Sequence, residues 1–274
     1  MPWPCFRAEE NSFLTALEDF AFEELERRAK VAKVGHICMQ LTPPVNQGDE
    51  HKRIERIVQK YTYVHSRVDS HIVVINPETL SLVRKRYKRY YKKFSPLFAL
   101  SIKKGKDVTK ELEELYFNLH VRDAGGQFRS RKSYEKQADI ARTGEGFYVV
   151  ATDKVSNAIV GMLLISVYKK SAFDNSVAID PDFADKYVGH LLKWRAIEEL
   201  LDQKISTYEL PVKPSASTFW EPSTPKKRNI SHFKEGWARG NMRTVFQIDK
   251  FLNKSSLHDF ILHQENLLIN YFNL

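Results

Sequence analysis

Cysteine is almost absent. Cys5 and Cys38 are the only two in 274 residues, too few for a disulfide framework, and this fits a reducing compartment. No Cys/His cluster has zinc spacing, and His258 and His263, five apart near the C-terminus, lack a third ligand and are expected on a helix surface. Long apolar runs are absent too: none approaches the ~18 residues of a membrane-crossing helix. The start "MPWPCFRAEENSF" has neither the charged nor the apolar segment of a secretion signal. A soluble cytoplasmic protein is the expectation. A phosphate-binding glycine loop, a nucleophile elbow and an HExxH helix are all missing, which leaves those enzyme classes without support. There is no internal repeat and no low-complexity segment.

What is present is a composition able to fold, 42% hydrophobic and 12% aromatic, with a formal charge of +9. The charge is concentrated. "RKRYKRYYKKF", Arg84 to Phe94, holds seven cations and no acid in eleven positions. So local a patch implies a docking place for an anion more than general affinity for polyanions.

Periodicity predicts a helix over Ser12–Ala32, a strand at "HICMQL", a loop at "TPPVNQGDE" and a buried strand at "SHIVVI". Asn76 then reads as a helix cap and Pro77 as the first helical position, with the helix stopping before Pro96. On it Leu80, Val83, Tyr87, Tyr90 and Phe94 fall at i, i+3, i+7, i+10 and i+14, one apolar stripe. The tyrosines therefore face a core, and base stacking on exposed rings is the weaker reading. "DVTKELEELYFNLHVRD" and "SYEKQADIAR" read as helices. Strands follow at "GFYVVAT", "AIVGMLLISVY" and "SVAID", separated by turns at "DKVSN" and "SAFDN". "HLLKWRAIEELLD" is a helix burying Leu191, Trp194, Ile197 and Leu201. "ISTYEL" and "MRTVFQID" are strands, with a long polar loop "PVKPSASTFWEPSTPKKRN" between them, and the tail from Ser256 is helical. An antiparallel meander, then a helix and a strand, gives a mixed sheet with the helix packed on it.

Several segments together resemble one family. "VGHLLKWRAIEELLDQKISTYEL" is similar to the helix-strand segment of the FemAB-like branch of the GNAT acyltransferase superfamily, and "NISHFKEGW" to its Phe-Lys-x-Gly stretch. "SHIVVINPETLSLVRKRYKRYYKKF" resembles its strand and basic linking helix, and "AIVGMLLI" its central hairpin. These cover most of Val64 to Asp249 in the expected order. The resemblance implies an α+β, GNAT-like (acyl-CoA N-acyltransferase) fold: a truncated N-terminal half with the basic linking helix over residues 1–95, a complete GNAT-like domain over 96–252, and a helical tail over 253–274. It implies transfer of an acyl or aminoacyl group to an amine of a sugar or peptide, acceptors in the family including cell-wall precursors. The donor is an acyl thioester or an aminoacyl-tRNA, so contact with tRNA is implied, and no redox or metal cofactor is.

By the same resemblance, Phe233 and Lys234 match the Phe-Lys pair, whose lysine would stabilise the oxyanion formed when an amine attacks an ester or thioester. A solvated surface lysine is the plain alternative. Glu209, at the matching strand end, would take the proton lost by the amine or else anchor an arginine; Asp180 is a weaker candidate for that task. Gly189 and His190, in the first turn of the helix motif, would lie beside donor phosphates. Arg84, Lys85, Lys88 and Arg89 would face an anionic, phosphorylated acceptor or a tRNA-borne donor, or else form a solvated face. The short start, Pro211 and Ala238 depart from the pattern. They keep open a relative that retains the fold and binds an anionic ligand or partner without catalysis.

Overall fold

The computed structural model describes residues 11–41, 50–211 and 224–272. Cys5 and most of the expected loops after positions 41 and 210 lie outside them. The described residues fall into two compact units, one within Met1–Asp69, Lys213–Ile230 and Arg243–Leu274, the other within Ser70–Val212 and Ser231–Met242. The boundary expected at 95/96 falls inside the second.

In the first unit α1 (Asn11–Val31) and α2 (Glu50–Tyr61) pack with β1 (His36–Leu41) and the bulk of β8 (Met242–Phe251), paired antiparallel from His36↔Phe251 to Leu41↔Phe246. Phe22, Ile37, Ile54, Ile57, Tyr61 and Ile248 form its core. Periodicity overlooked α2, whose Ile54 and Ile57 are separated by charged residues on its outer face. The helical tail is α9 (Lys254–Phe272), with His258 and His263 exposed as expected.

The second unit holds a mixed sheet. Its strand order is β2 (Val64–Val74), β7 (Thr207–Leu210), β6 (Ser171–Ile179), β5 (Ile159–Tyr168), β4 (Gly146–Asp153) and β3 (Phe98–Lys103). β3 to β6 form the expected antiparallel meander, α7 (Val188–Asp202) crosses over, and β7 returns parallel to β6. α7 covers one face, burying Val188, Leu191, Leu192, Ala196, Ile197 and Leu200 against Phe147, Val149, Leu163 and Ile165. α5 (Lys110–Ala124) and α6 (Arg131–Arg142) cover the other, where Tyr116, Tyr134, Tyr148, Val150, Met162 and Leu164 are buried. The alternation of β4, with 147, 149 and 151 on one side and 148 and 150 on the other, makes it a strand of two cores.

Three expectations change, and one strand went unread. The helix from Asn76 to Pro96 is two helices, α3 (Thr79–Leu82) and α4 (Lys85–Phe94), because Val83 and Arg84 are extended, with ψ of 159° and 135°. The apolar stripe survives the break: Val83, Tyr87 and Phe94 are buried, with Leu80 and Tyr90 packed against them. "SAFDN" is strand rather than turn, since Lys169 at φ 53° already reverses the chain and β6 begins at Ser171. β3 is the unread strand, although Phe98, Leu100 and Ile102 alternate along it on the core side. The last part of the expected polar loop is helix α8 (Pro225–Ala238), started by Thr224, whose Oγ1 accepts from Lys227 N, and by Pro225 in the first turn.

Candidate functional site

The parallel pairing of β6 with β7 is short. It covers Ser171↔Thr207, Ala172↔Tyr208 and Phe173↔Glu209, after which β6 runs on to Ile179 without a β7 partner. α7 begins beyond that unpaired stretch, after a 3-10 turn (Pro181–Lys186) and Tyr187 at φ 54°. The helix lies close on the sheet: a Cβ on Gly161 of β5 would meet Val188 Cγ1 at 2.6 Å. Gly189 and His190 stand in its first turn.

The structure brings His190, Phe233 and the basic helix together. The His190 ring lies 4.5 Å edge-on from Tyr87, 4.8 Å from Phe233, 5.2 Å from Tyr90 and 5.5 Å from Tyr187. Burial pushes its pKa down to about 4, and the charge of Arg86 acts in the same direction, so the ring is neutral. Tyr90 stacks on Tyr187 at 3.8 Å and Tyr91 on Trp194 at 4.3 Å. The α4 tyrosines are thus engaged with α7 and are not open to nucleic-acid bases.

α8 meets α4 through a glycine. A Cβ on Gly236 would lie 2.3 to 2.5 Å from the Tyr87 ring and hydroxyl, and that hydroxyl donates to the Phe233 carbonyl at 3.0 Å. The glycine of the Phe-Lys-x-Gly stretch is therefore a close-approach position. Next to Phe233, Lys234 is partly buried and donates through Nζ to the carbonyl of Pro211, the residue directly after β7. Glu209 is 6% exposed and alternates with Tyr208 and Leu210, which belong to the α7 side, so it faces the α5–α6 side between Ile72 and Phe173. Lys234 and Glu209 are both at the β7 end.

The four singled-out cations part company. Arg84 is held to α8, donating to His232 Nε2 at 2.8 Å, to the His232 carbonyl at 3.2 Å and to Glu235 at 2.8 Å. Lys88 donates to the Ser81 carbonyl. Lys85 and Arg89 are exposed. Arg86, which was not singled out, is the cation beside the aromatic cluster, 5.5 Å over the Tyr87 ring. Asp180 accepts from Asp182 N at 3.1 Å and from Arg122 at 2.7 Å, a cap and an ion pair that anchor the 3-10 turn.

No protein-family model matches the chain, and no curated protein does. Among solved structures, FemX matches with a TM-score of 0.59 over 89% of this chain and 78% of its own, at 12% identity. The fold is that of the FemAB-like GNAT proteins. A tandem GNAT protein from the clavulanic acid biosynthesis pathway matches at TM-score 0.52 and 12% identity, covering 83% of this chain and 67% of its own. The C-terminal domain of a putative lysylphosphatidylglycerol synthetase from Agrobacterium fabrum matches at TM-score 0.50 and 10% identity, over 77% and 67%.

Within this GNAT-type sheet, sequence reasoning missed a buried ion pair. Lys193 of α7 is 2% exposed, and its Nζ donates to Asp174 of β6 and, at 3.1 Å, to Tyr208 Oη of β7. It ties the two parallel strands together where their pairing ends. Burial lowers the lysine's pKa, while Asp174 opposes the shift. A signal existed: Lys193 stands three, four and seven residues before Ala196, Ile197 and Leu200, on the buried face of the helix. Among the described residues no group of three or more His, Cys, Asp or Glu could hold a metal ion, and no helix is long and apolar enough to cross a membrane.

Proposed function

We propose that the chain is an N-acyltransferase of FemAB/GNAT type, moving an acyl or aminoacyl group from a thioester or an aminoacyl-tRNA to an amine on a sugar or peptide precursor. The amine nitrogen attacks the donor carbonyl, the N–C bond forms, and the C–S or C–O bond to the carrier breaks. Lys234 stabilises the oxyanion of the intermediate, and Glu209 accepts a proton from the amine. The observation that supports this most is positional. An ammonium is held at the end of β7, beside the place where β6 and β7 cease to pair, with a carboxylate on the last paired residue. Lys85 and Arg89 supply a cationic surface for an anionic acceptor or a tRNA-borne donor.

The bond from Lys234 to the Pro211 carbonyl also favours a second reading, a non-catalytic relative in which this lysine only ties α8 to β7. One experiment separates the two. Wild type and Lys234→Ala are incubated with acetyl-CoA or mixed aminoacyl-tRNAs and amine acceptors, and the products are read by mass spectrometry. Losing one oxyanion donor lowers the rate about a hundredfold or more. A Lys234→Ala protein that transfers as fast as wild type defeats the oxyanion role, and a wild type that consumes none of these donors defeats the acyltransferase reading.

A further inference from the structure

On the α5–α6 face, the stretch of β6 that lacks a β7 partner carries Ser176. Two side chains of α5 reach it. Tyr116 Oη lies 3.1 Å from the Ser176 carbonyl oxygen and 2.5 Å from its Oγ, and His120 Nε2 lies 2.9 Å from the same Oγ. Each of the three groups has one proton to give along this chain. Tyr116 donates to the Ser176 carbonyl, the Ser176 hydroxyl has Tyr116 Oη and Gln137 Oε1 within reach, and the network closes when His120 donates from Nε2 to Ser176. With Nε2 donating to Ser176, the neutral imidazole has its lone pair on Nδ1. His120 Nδ1 has no hydrogen-bond partner among the described residues. Burial lowers the His120 pKa to about 4, with the charge of Arg129 adding to the shift. The rings of Tyr116 and Tyr134 pack around it, and Gln137 Oε1 of α6 accepts from Ser176 Oγ at 3.5 Å.

Acyl transfer to an amine asks for more than one proton acceptor. An acceptor that arrives as an ammonium loses one proton to expose its lone pair. It loses a second once the N–C bond has formed and the nitrogen is again positive. One of the two ends on the leaving sulfur or oxygen, and the other goes to solvent. Glu209, on the same face of the sheet, answers for one of these transfers. We propose that His120, bonded through Nε2 to Ser176 with the lone pair on Nδ1, takes the other, the proton released from nitrogen as the tetrahedral intermediate collapses. The assignment rests on the acyltransferase function proposed above. Nitrogen in that intermediate is more acidic than a free ammonium, and the neutral ring of His120 has a lone pair to receive its proton.

Two measurements on the full chain test it. Long-range proton–nitrogen NMR of the histidine rings at neutral pH is expected to show His120 as the Nε2–H tautomer in wild type; a predominant Nδ1–H tautomer overturns the proposal. Transfer from acetyl-CoA or alanyl-tRNA to glucosamine is then followed for wild type, His120→Ala and His120→Gln. The glutamine can keep a hydrogen bond to Ser176 and so maintain the packing, but it cannot take a proton. Both variants are expected to fall about a hundredfold in kcat with an unchanged KM for the donor, and added imidazole to restore part of the rate of His120→Ala. Full activity in His120→Gln, or a loss in His120→Ala that imidazole does not repair, overturns the proposal while leaving the acyltransferase reading intact. A wild type that uses neither donor removes both.

Discussion

Replacing Lys193 by methionine tests the buried pair most directly. The substitution keeps the length and apolar stem of the side chain but leaves Asp174 as a lone carboxylate in a site almost closed to water, and takes a donor from Tyr208. Breaking a buried pair by removing one partner costs about 3–5 kcal/mol. At ~2–4 °C per kcal/mol for chains near this size, the melting temperature falls by roughly 6–20 °C. Removing both charges is a different perturbation: Lys193→Met with Asp174→Leu leaves no buried ion, and such replacements are often neutral or stabilising. The double variant is therefore expected to recover most of the loss. The single variant should also lose its deficit on acidification, because an unpaired buried carboxylate takes up a proton more readily than a paired one. Urea titrations of the wild type and both variants at neutral pH and near pH 5 supply all three comparisons. A Lys193→Met protein within ~1 kcal/mol of wild type, or a double variant no more stable than the single one, refutes the reasoning.

Other consequences can be checked in the same preparations. Gly236→Ala drives a methyl into the Tyr87 ring and is expected to destabilise by about 1–3 kcal/mol; placed in a Tyr87→Leu background it should cost distinctly less, and equal costs in the two backgrounds would contradict the contact. His120 and His190 have folded pKa values of about 4 against an ordinary 6.5. Folding favours their neutral forms, so their contribution to stability is complete above pH 6.5 and is lost as the pH falls toward 4. The urea midpoint should drop across that window, and His190→Gln should flatten part of the drop.

Much of the second unit was legible because its residues report one environment each. The meander and α7 follow from Val149, Leu163, Leu191 and Ile197, whose spacing matches a strand or a helix with a fixed buried side. The break between α3 and α4 was not legible, since it depends on Arg84 finding Glu235 and His232 some 150 positions later. α8 was hidden by its composition: only one face is apolar, and Pro225 and Thr224 resemble loop residues until they are seen as a helix start. Of the proposed site, Phe233, His190 and Gly236 lie in recognisable strings. Ser176 and His120 do not, because they come from distant segments and neither is unusual where it stands.

β6 contains one residue more than its partner needs. Leu164 faces Ser176 and Ile165 faces Asp174, so Asn175 has no counterpart. This surplus lets the lysine-bound carboxylate and the serine, two positions apart, look toward opposite helical layers. It also makes the strand uneven in its tolerance of length changes. Excising Asn175 would straighten the ribbon and leave every later side chain on its present side, whereas losing Val177 would turn Ala178 out of its interior and Ile179 into it. A scan of single-codon deletions along this strand should therefore find one permissive position among intolerant neighbours.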